Sequence, residues 1–351
     1  MTDEVAPLDP AEELPWWQRD EDAAERIGRP NVVVVGAGVA GLTTAISLAD
    51  AGLTTELITA DLGSGTTSIA AGAIWGPVRC GPPDRIRAWS AVGLEVLTQL
   101  ESQPAAGVRP VSGVEVAASP SSPEDWLDLT GRIRPLEASE LPPGMACGWR
   151  YTAPVVTMPL YLEYLRQWYE ALGGTITVST VRSLAEDTGP APIVVNCTGI
   201  GARELAGDPS VYPVRGQVVV VENPGIEEFY IDHTMVGDQY IYIFPHKEVV
   251  ILGGTAEEGA WDLSPRQDLS EQILAACASV DPRLRGARVV DERVGLRPCR
   301  DEVRVESEPL PGGRVLWHNY GHGGGGVTLS WGCAREITEA IIEGPSASSS
   351  R

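Results

Sequence analysis

Four β-branched residues in a row, Val32 to Val35, mark a strand buried on both faces. Apolar positions at helical spacing follow over residues 42–51, closed by Gly52, and residues 54–59 read as a second strand. Together they predict a β-α-β unit at the start of the folded chain. Residues 63–77, rich in Gly, Thr, Ser and Ala, predict a loop. Helical periodicity recurs over 85–101, over 160–172 with an aromatic face (Tyr161, Tyr164, Trp168), and over 270–279. Residues 109–156 mix Pro, Gly and short apolar runs, predicting strands with irregular connections. Short strands are predicted at 175–178, 193–196, 217–221, 240–244, 249–252, 289–293, 303–306 and 315–317. A glycine run, Gly321 to Gly326, then precedes a last helix over about 329–342.

The β-α-β unit at one end and the strand–glycine loop–helix at the other enclose a β-rich middle, so two interleaved domains are expected. Residues 31–77, 157–210 and 291–344 are assigned to a dinucleotide-binding domain, and 78–156 and 211–290 to a β-rich one. Residues 1–30 hold nine acids, three arginines and four prolines, and read as a solvated extension. Residues 345–351 read as a tail.

Charge narrows the partners. Lys+Arg is 26 and Asp+Glu is 48, so the formal net charge is −22, which disfavours nucleic acid and anionic membranes. No run of about 18 apolar residues predicts a membrane span. The six cysteines form no CxxC pair and the four histidines no HExxH, so neither a disulfide framework nor a metal site is expected. Free thiols and the lack of a signal peptide point to the cytoplasm.

Four stretches carry candidate chemistry. In the first, Gly36 permits a tight turn, Gly38 lets a pyrophosphate approach the backbone, and Gly41 lets helix pack on strand. Ala37 and Val39 lie at the helix N-terminus, whose amides and dipole suit phosphates. Asp61, 20 residues after Gly41, stands where an acid holds the adenosine ribose. The motif suits FAD and NAD alike. The second stretch, residues 65–75, offers small residues and hydroxyls to a ligand. In the third, Arg297 between Leu296 and Pro298 could serve a structural ion pair or fork onto a substrate carboxylate. In the fourth, Gly323 to Gly326 would be costly to order without a ligand.

These stretches, with VNCTG at 195–199 and RGQVV at 215–219, resemble the FAD-dependent D-amino-acid oxidases over nearly all of residues 31–343. The resemblance implies a glutathione-reductase-like, α/β Rossmann domain for non-covalent FAD, interleaved with the substrate domain. It implies FAD contacts from Gly36, Ala37, Gly38, Asp61, Thr66, Thr67, Ala71, Gly72, Ala73, Val181 and Thr198. Gly323, Gly324, Gly325, Gly326, Val327 and Thr328 would wrap the flavin end. It places Arg297 and Tyr242 on the substrate carboxylate, with Tyr240 a weaker candidate. Gly325 stands where many members carry a tyrosine, so it is expected to leave room for a bulky neutral side chain. Gly76 stands where a glutamine is common, and the chain between His233 and Tyr242 is short for the lid that mammalian-type members have there.

The activity implied is oxidative deamination of neutral D-amino acids by hydride transfer to flavin N5, with molecular oxygen as acceptor and 2-oxo acid, ammonia and hydrogen peroxide as products. A homodimer is left open. The alternative within the class, a D-aspartate or D-glutamate oxidase, would need a further cation, for which Arg79, Arg215 and Arg304 are candidates. An NAD-dependent reductase and a non-catalytic flavin-binding module are the competing classes.

Overall fold

The computed structural model describes residues 31–78 and 80–344. What was expected of residues 1–30, of the tail and of Arg79 lies outside the described residues. The strands form one sheet in the order β4-β5-β3-β9-β10-β11-β8-β13-β14-β7-β1-β2-β6, with β12 (Glu257–Glu258) beside β8. Its parallel end holds β1 (Asn31–Val35), β2 (Thr54–Thr59), β6 (Thr175–Val178), β7 (Ile193–Asn196) and β14 (Arg314–His322). Its largely antiparallel end holds β3 (Val108–Ala117), β4 (Arg134–Pro135), β5 (Cys147–Val156), β8 (Tyr212–Glu222), β9 (Phe229–Val236), β10 (Gln239–Pro245) and β11 (Val249–Thr255). The chain passes from the parallel end to the other and back twice.

The two ends meet in β13 (Val289–Leu310). Its first half pairs with β8, from Val289↔Val221 to Cys299↔Tyr212, and its second with β14, from Arg304↔Tyr320 to Leu310↔Arg314. The two strands predicted at 289–293 and 303–306 are therefore one, and the boundary expected at residue 291 falls inside it. Strand β9 was not anticipated. A hairpin with Gly237 and Asp238 at its tip joins it to β10.

Helices α1 (Val39–Asp50), α2 (Pro83–Leu100), α3 (Met158–Ala171) and α6 (Gly326–Glu343) build the main core with the parallel strands. The helix α4 (Ala202–Leu205) follows β7, and α5 (Gln267–Val280) covers the outer face of the antiparallel end. Helix α6 starts at Gly326, three residues before the predicted 329, because the glycine run bends into the helix rather than preceding it. Among the described residues no helix is long and apolar enough to cross a membrane.

Two glycines set how closely α2 and α6 approach. A Cβ on Gly332 would lie 2.3 Å from Trp89 Cα, and one on Gly93 2.0 Å from Thr328 O. Both obstacles are backbone, so the helices themselves must part. Gly332→Ala is expected to cost roughly 1–3 kcal/mol of overpacking, more than the ~1 kcal/mol that alanine gains in a helix. Thermal unfolding of the purified protein should show a Tm several degrees below wild type; an equal or higher Tm would contradict this packing.

Candidate active site

Every parallel strand ends on one cavity of about 1280 Å³. Gly36 to Val39 follow β1, Thr59 ends β2 with Ala60 and Asp61 after it, Ser179 to Val181 follow β6, and Cys197 and Thr198 follow β7; His322 ends β14 with Gly323 and Gly324 after it. Carboxyl ends of parallel strands are where open α/β sheets take ligands.

The first turn is held from both sides. Gly36 has φ +107°, its N–H donates to Ile58 O (2.8 Å), and a Cβ there would lie 2.6 Å from Cys197 O. Thr59 Oγ1 accepts from the Ala37 N–H (3.2 Å) and donates to Asp61 O (2.7 Å), which ties the acid to the turn. Ser68 Oγ accepts from the Val39 N–H at the start of α1 (3.0 Å). Gly41 does not line the cavity: a Cβ there would sit 1.7 Å from Gly36 O, so it serves packing alone.

The segment expected to be a loop over 63–77 contains two 3-10 turns, Gly63–Gly65 and Thr67–Ala70, and is fastened to β13 and β5. Thr67 Oγ1 donates to Leu296 O (3.3 Å), and the Trp75 N–H donates to Pro154 O (2.8 Å). Thr66, Thr67, Ala71, Gly72 and Ala73 thereby line the cavity. Thr328 lies in the first turn of α6, where its hydroxyl accepts from the Gly76 N–H (3.0 Å) and donates to Gly76 O (3.1 Å). That side chain joins two walls of the cavity and has little left for a ligand. Gly323, Gly324, Gly326 and Val327 line the cavity, and Gly325 does not. A Cβ on Gly325 would lie 2.7 Å from Cys80 Sγ, so its side-chain direction leads into protein. Gly325 was expected to leave room for a substrate side chain; its own side-chain direction leads toward Cys80 rather than along the cavity.

Tyr242 and Arg297 meet at the other end of the cavity. Arg297 Nη1 donates to Thr255 O (2.9 Å), and the guanidinium lies close enough to the Tyr242 phenol to lower its pKa weakly. Burial pushes the phenol above its ordinary value, Arg297 pulling weakly the other way, so Tyr242 stays protonated and can donate. A floor of glycines makes this possible. A Cβ on Gly216 would lie 2.4 Å from Arg297 Nη1, and one on Gly253 1.8 Å from Tyr242 Cζ. Tyr242 is stacked on Phe244, centroids 4.5 Å apart, with Tyr240 at 5.7 Å.

Beyond Tyr242 the wall is made by residues the motifs did not flag: Glu115, Tyr151, Ile231, His233 and Trp126. Trp126 fills the space a side chain on Gly76 would need, its Cη2 3.0 Å from a Cβ built there. The segment carrying Glu124, Asp125 and Trp126 is tied to α2 by Arg87, which donates to Asp128 Oδ1 (2.7 Å) and Oδ2 (3.0 Å). Arg215 and Arg304 are absent from this cavity. Arg215 is only 2% exposed and holds Glu257 (2.6 Å) with the Asp262 and Ser264 carbonyls (2.7 Å each), while Arg304 holds Tyr320, Glu306 and Glu308. No cluster of three or more His, Cys, Asp or Glu suited to a metal ion occurs among the described residues.

The residues that line the cavity suit a dinucleotide. The cavity runs from a glycine turn at a helix N-terminus, past an acid at the end of the second strand, to a second glycine turn opening another helix.

The sequence model of the family described as FAD dependent oxidoreductase matches residues 31–340. A D-amino-acid oxidase of Rubrobacter xylanophilus is 47% identical over 306 residues, covering 87% of this chain and 93% of the relative. A D-aspartate oxidase of Homo sapiens is 35% identical over 326 residues, covering 89% and 94%. Among solved structures, a glycine oxidase from Bacillus cereus aligns with a TM-score of 0.74 at 19% identity, covering 90% of this chain and 95% of that one.

Proposed function

From the premise that the chain belongs to the FAD dependent oxidoreductase family, we propose that it oxidises D-amino acids with neutral side chains to 2-oxo acids, ammonia and hydrogen peroxide. The observation that carries this is the Arg297–Tyr242 pair laid across a floor of glycines at the end of the cofactor cavity.

Gly36 to Val39, Asp61, the 65–73 segment, Val181, Thr198 and the turn into α6 would hold FAD. Bound there, FAD supplies the acceptor for the Cα hydride and the route of the electrons to oxygen. The chain's own residues bind and orient. Arg297 presents a planar fork to the α-carboxylate. The Tyr242 O–H, kept protonated beside Arg297, would donate to the same carboxylate. Three donors on one group fix its direction, and proximity then lowers the barrier. The bare backbone of Gly216 and Gly253 lets the Arg297 and Tyr242 side chains themselves lie close to the sheet. An amine that enters neutral needs no base from the chain. His322, which lines the cavity, is pushed down to about 4 by burial and stays neutral, its Nε2 engaged with Asn319 Oδ1 (3.0 Å).

The acidic alternative finds less support. Arg215 and Arg304 point elsewhere, and a substrate carboxylate would meet Glu115. The D-configuration rests on the relatives' names. Six free cysteines support a reducing, cytoplasmic compartment. The test is peroxide release from the yellow, FAD-loaded protein across paired D- and L-amino acids. Release from D-methionine or D-leucine, and little from D-aspartate or any L-form, is expected; turnover of L-forms alone would overturn the reading.

A further inference from the structure

We propose that Glu115 is a specificity-determining residue that extends the substrate range to D-amino acids with cationic side chains, lysine- or arginine-like. The proposal rests on the oxidase reading above and adds the chemistry at the side-chain end of the same pocket.

Register places the carboxylate. Glu115 on β3 is the partner of Ile231 on β9, and Ile231 is the partner of Tyr242 on β10. Registered partners share a face of a sheet, and all three line the cavity. Two strand spacings, about 10 Å between Cα atoms, separate Glu115 from Tyr242. An α-amino acid held by its carboxylate at Arg297 and Tyr242 can point a long side chain along this face, past Ile231, toward Glu115.

The carboxylate is built in rather than incidental. Glu115 is 3% exposed, in a wall that includes Tyr151 and Ile231. Tyr151 donates to its Oε2 (2.6 Å), and burial together with Glu115 holds that phenol well above its ordinary value, so the donor stays in place. Its Oε1 meets His233 Nε2 at 2.8 Å, and the hydrogen bond to Glu115 raises the His233 pKa. No arginine or lysine pairs with Glu115 among the described residues. A buried carboxylate is costly without a cation. His233 meets that need only while protonated, and its side chain is 52% exposed at the rim, where it can swing out. Each carboxylate oxygen can accept a second bond. A substrate ammonium or guanidinium reaching Glu115 from inside the cavity would supply the cation, and Glu124 and Asp125 on the same cavity add further negative charge.

D-lysine and D-norleucine test this, because they share a chain length and differ by the terminal ammonium. With wild-type enzyme, kcat/KM is expected to be at least about tenfold higher for D-lysine, the worth of a charge-assisted hydrogen bond. Glu115→Gln should bring that ratio to about one or below, with a flavin spectrum like wild type. A wild-type ratio near one, with D-norleucine turned over, overturns the proposal and leaves the oxidase reading standing. A ratio that Glu115→Gln does not change overturns it too. Turnover of neither substrate overturns both. The wild-type ratio decides even if the variant fails to fold.

Discussion

Arg297→Ala should lower kcat/KM for a neutral D-amino acid by about 30-fold or more. Removing one partner of a buried, hydrogen-bonded charge pair costs roughly 2–5 kcal/mol, much of it from the substrate charge left unpaired. At 1.36 kcal/mol per tenfold, that range runs from about 30-fold to several thousandfold. The upper part of the range is reachable because Arg297 and Tyr242 would act on the same carboxylate. Without the guanidinium, the space over Gly216 is empty and the phenol of Tyr242 is the one donor of the pair that is left. Arg297→Lys should fail substantially as well, since a point charge cannot reproduce a planar fork. FAD content should stay near that of wild type, because the side chain contacts Thr255 and Tyr242 and none of the glycine-turn residues. Steady-state kinetics with a flavin absorbance ratio on the same sample separates the two. A fully FAD-loaded Arg297→Ala enzyme with wild-type kcat/KM would sink the carboxylate clamp.

Gly36→Val should cost the protein its cofactor. Valine at φ +107° is strained by roughly 1–3 kcal/mol. Its Cβ would also start 2.6 Å from Cys197 O and 3.0 Å from Cys197 C. Neither neighbour can retreat freely, since the Cys197 N–H donates to Val35 O (2.9 Å) and the Gly36 N–H to Ile58 O (2.8 Å). Parting β1 from β7 or flipping the turn are the remaining responses, and both carry the N-terminus of α1 away from a pyrophosphate. Strain and overpacking together amount to about 2–6 kcal/mol. A loss of that size corresponds to at least about 30-fold in FAD affinity. The expected result is protein recovered without FAD, or a Kd raised by that factor in a fluorescence titration. Circular dichroism alongside distinguishes a distorted turn from a chain that does not fold. Wild-type FAD affinity would show that the turn is not where the cofactor's phosphates lie.

Local pattern was enough for the parallel end. The β-branched run, the glycine turn and the helical spacing after it are each short-range signals, and β1, α1 and β2 appear where those signals lie. Long-range pairing was not available in the same way. Residues 289–293 and 303–306 look like separate strands because Pro298 and the polar residues after it interrupt the apolar pattern. They form one strand because β8 pairs with the first half and β14 with the second. Strand β9 carries Asp232, His233 and Thr234, polar residues that weaken its alternation. It becomes a strand because β10 and β3 flank it.

By itself the sequence marked the cofactor end, since the glycine turns and the acid after the second strand are written in consecutive residues, while Tyr242 and the carboxylate role of Arg297 came from the resemblance to a family. Tertiary structure alone decided how those parts face one another. It turned Gly325 away toward Cys80, because a tight turn points successive Cα atoms in different directions. It gave the Thr328 hydroxyl to the Gly76 backbone, and it placed Arg215 in a network with Glu257 rather than in the cavity's lining. It set Glu115 in register with Tyr242, 127 residues apart in the chain, on one face of the sheet. The physical reason is common to all four: a side chain's direction and partners depend on the strand or helix that packs beside it, and that neighbour is chosen by burial over the whole chain rather than by adjacent residues.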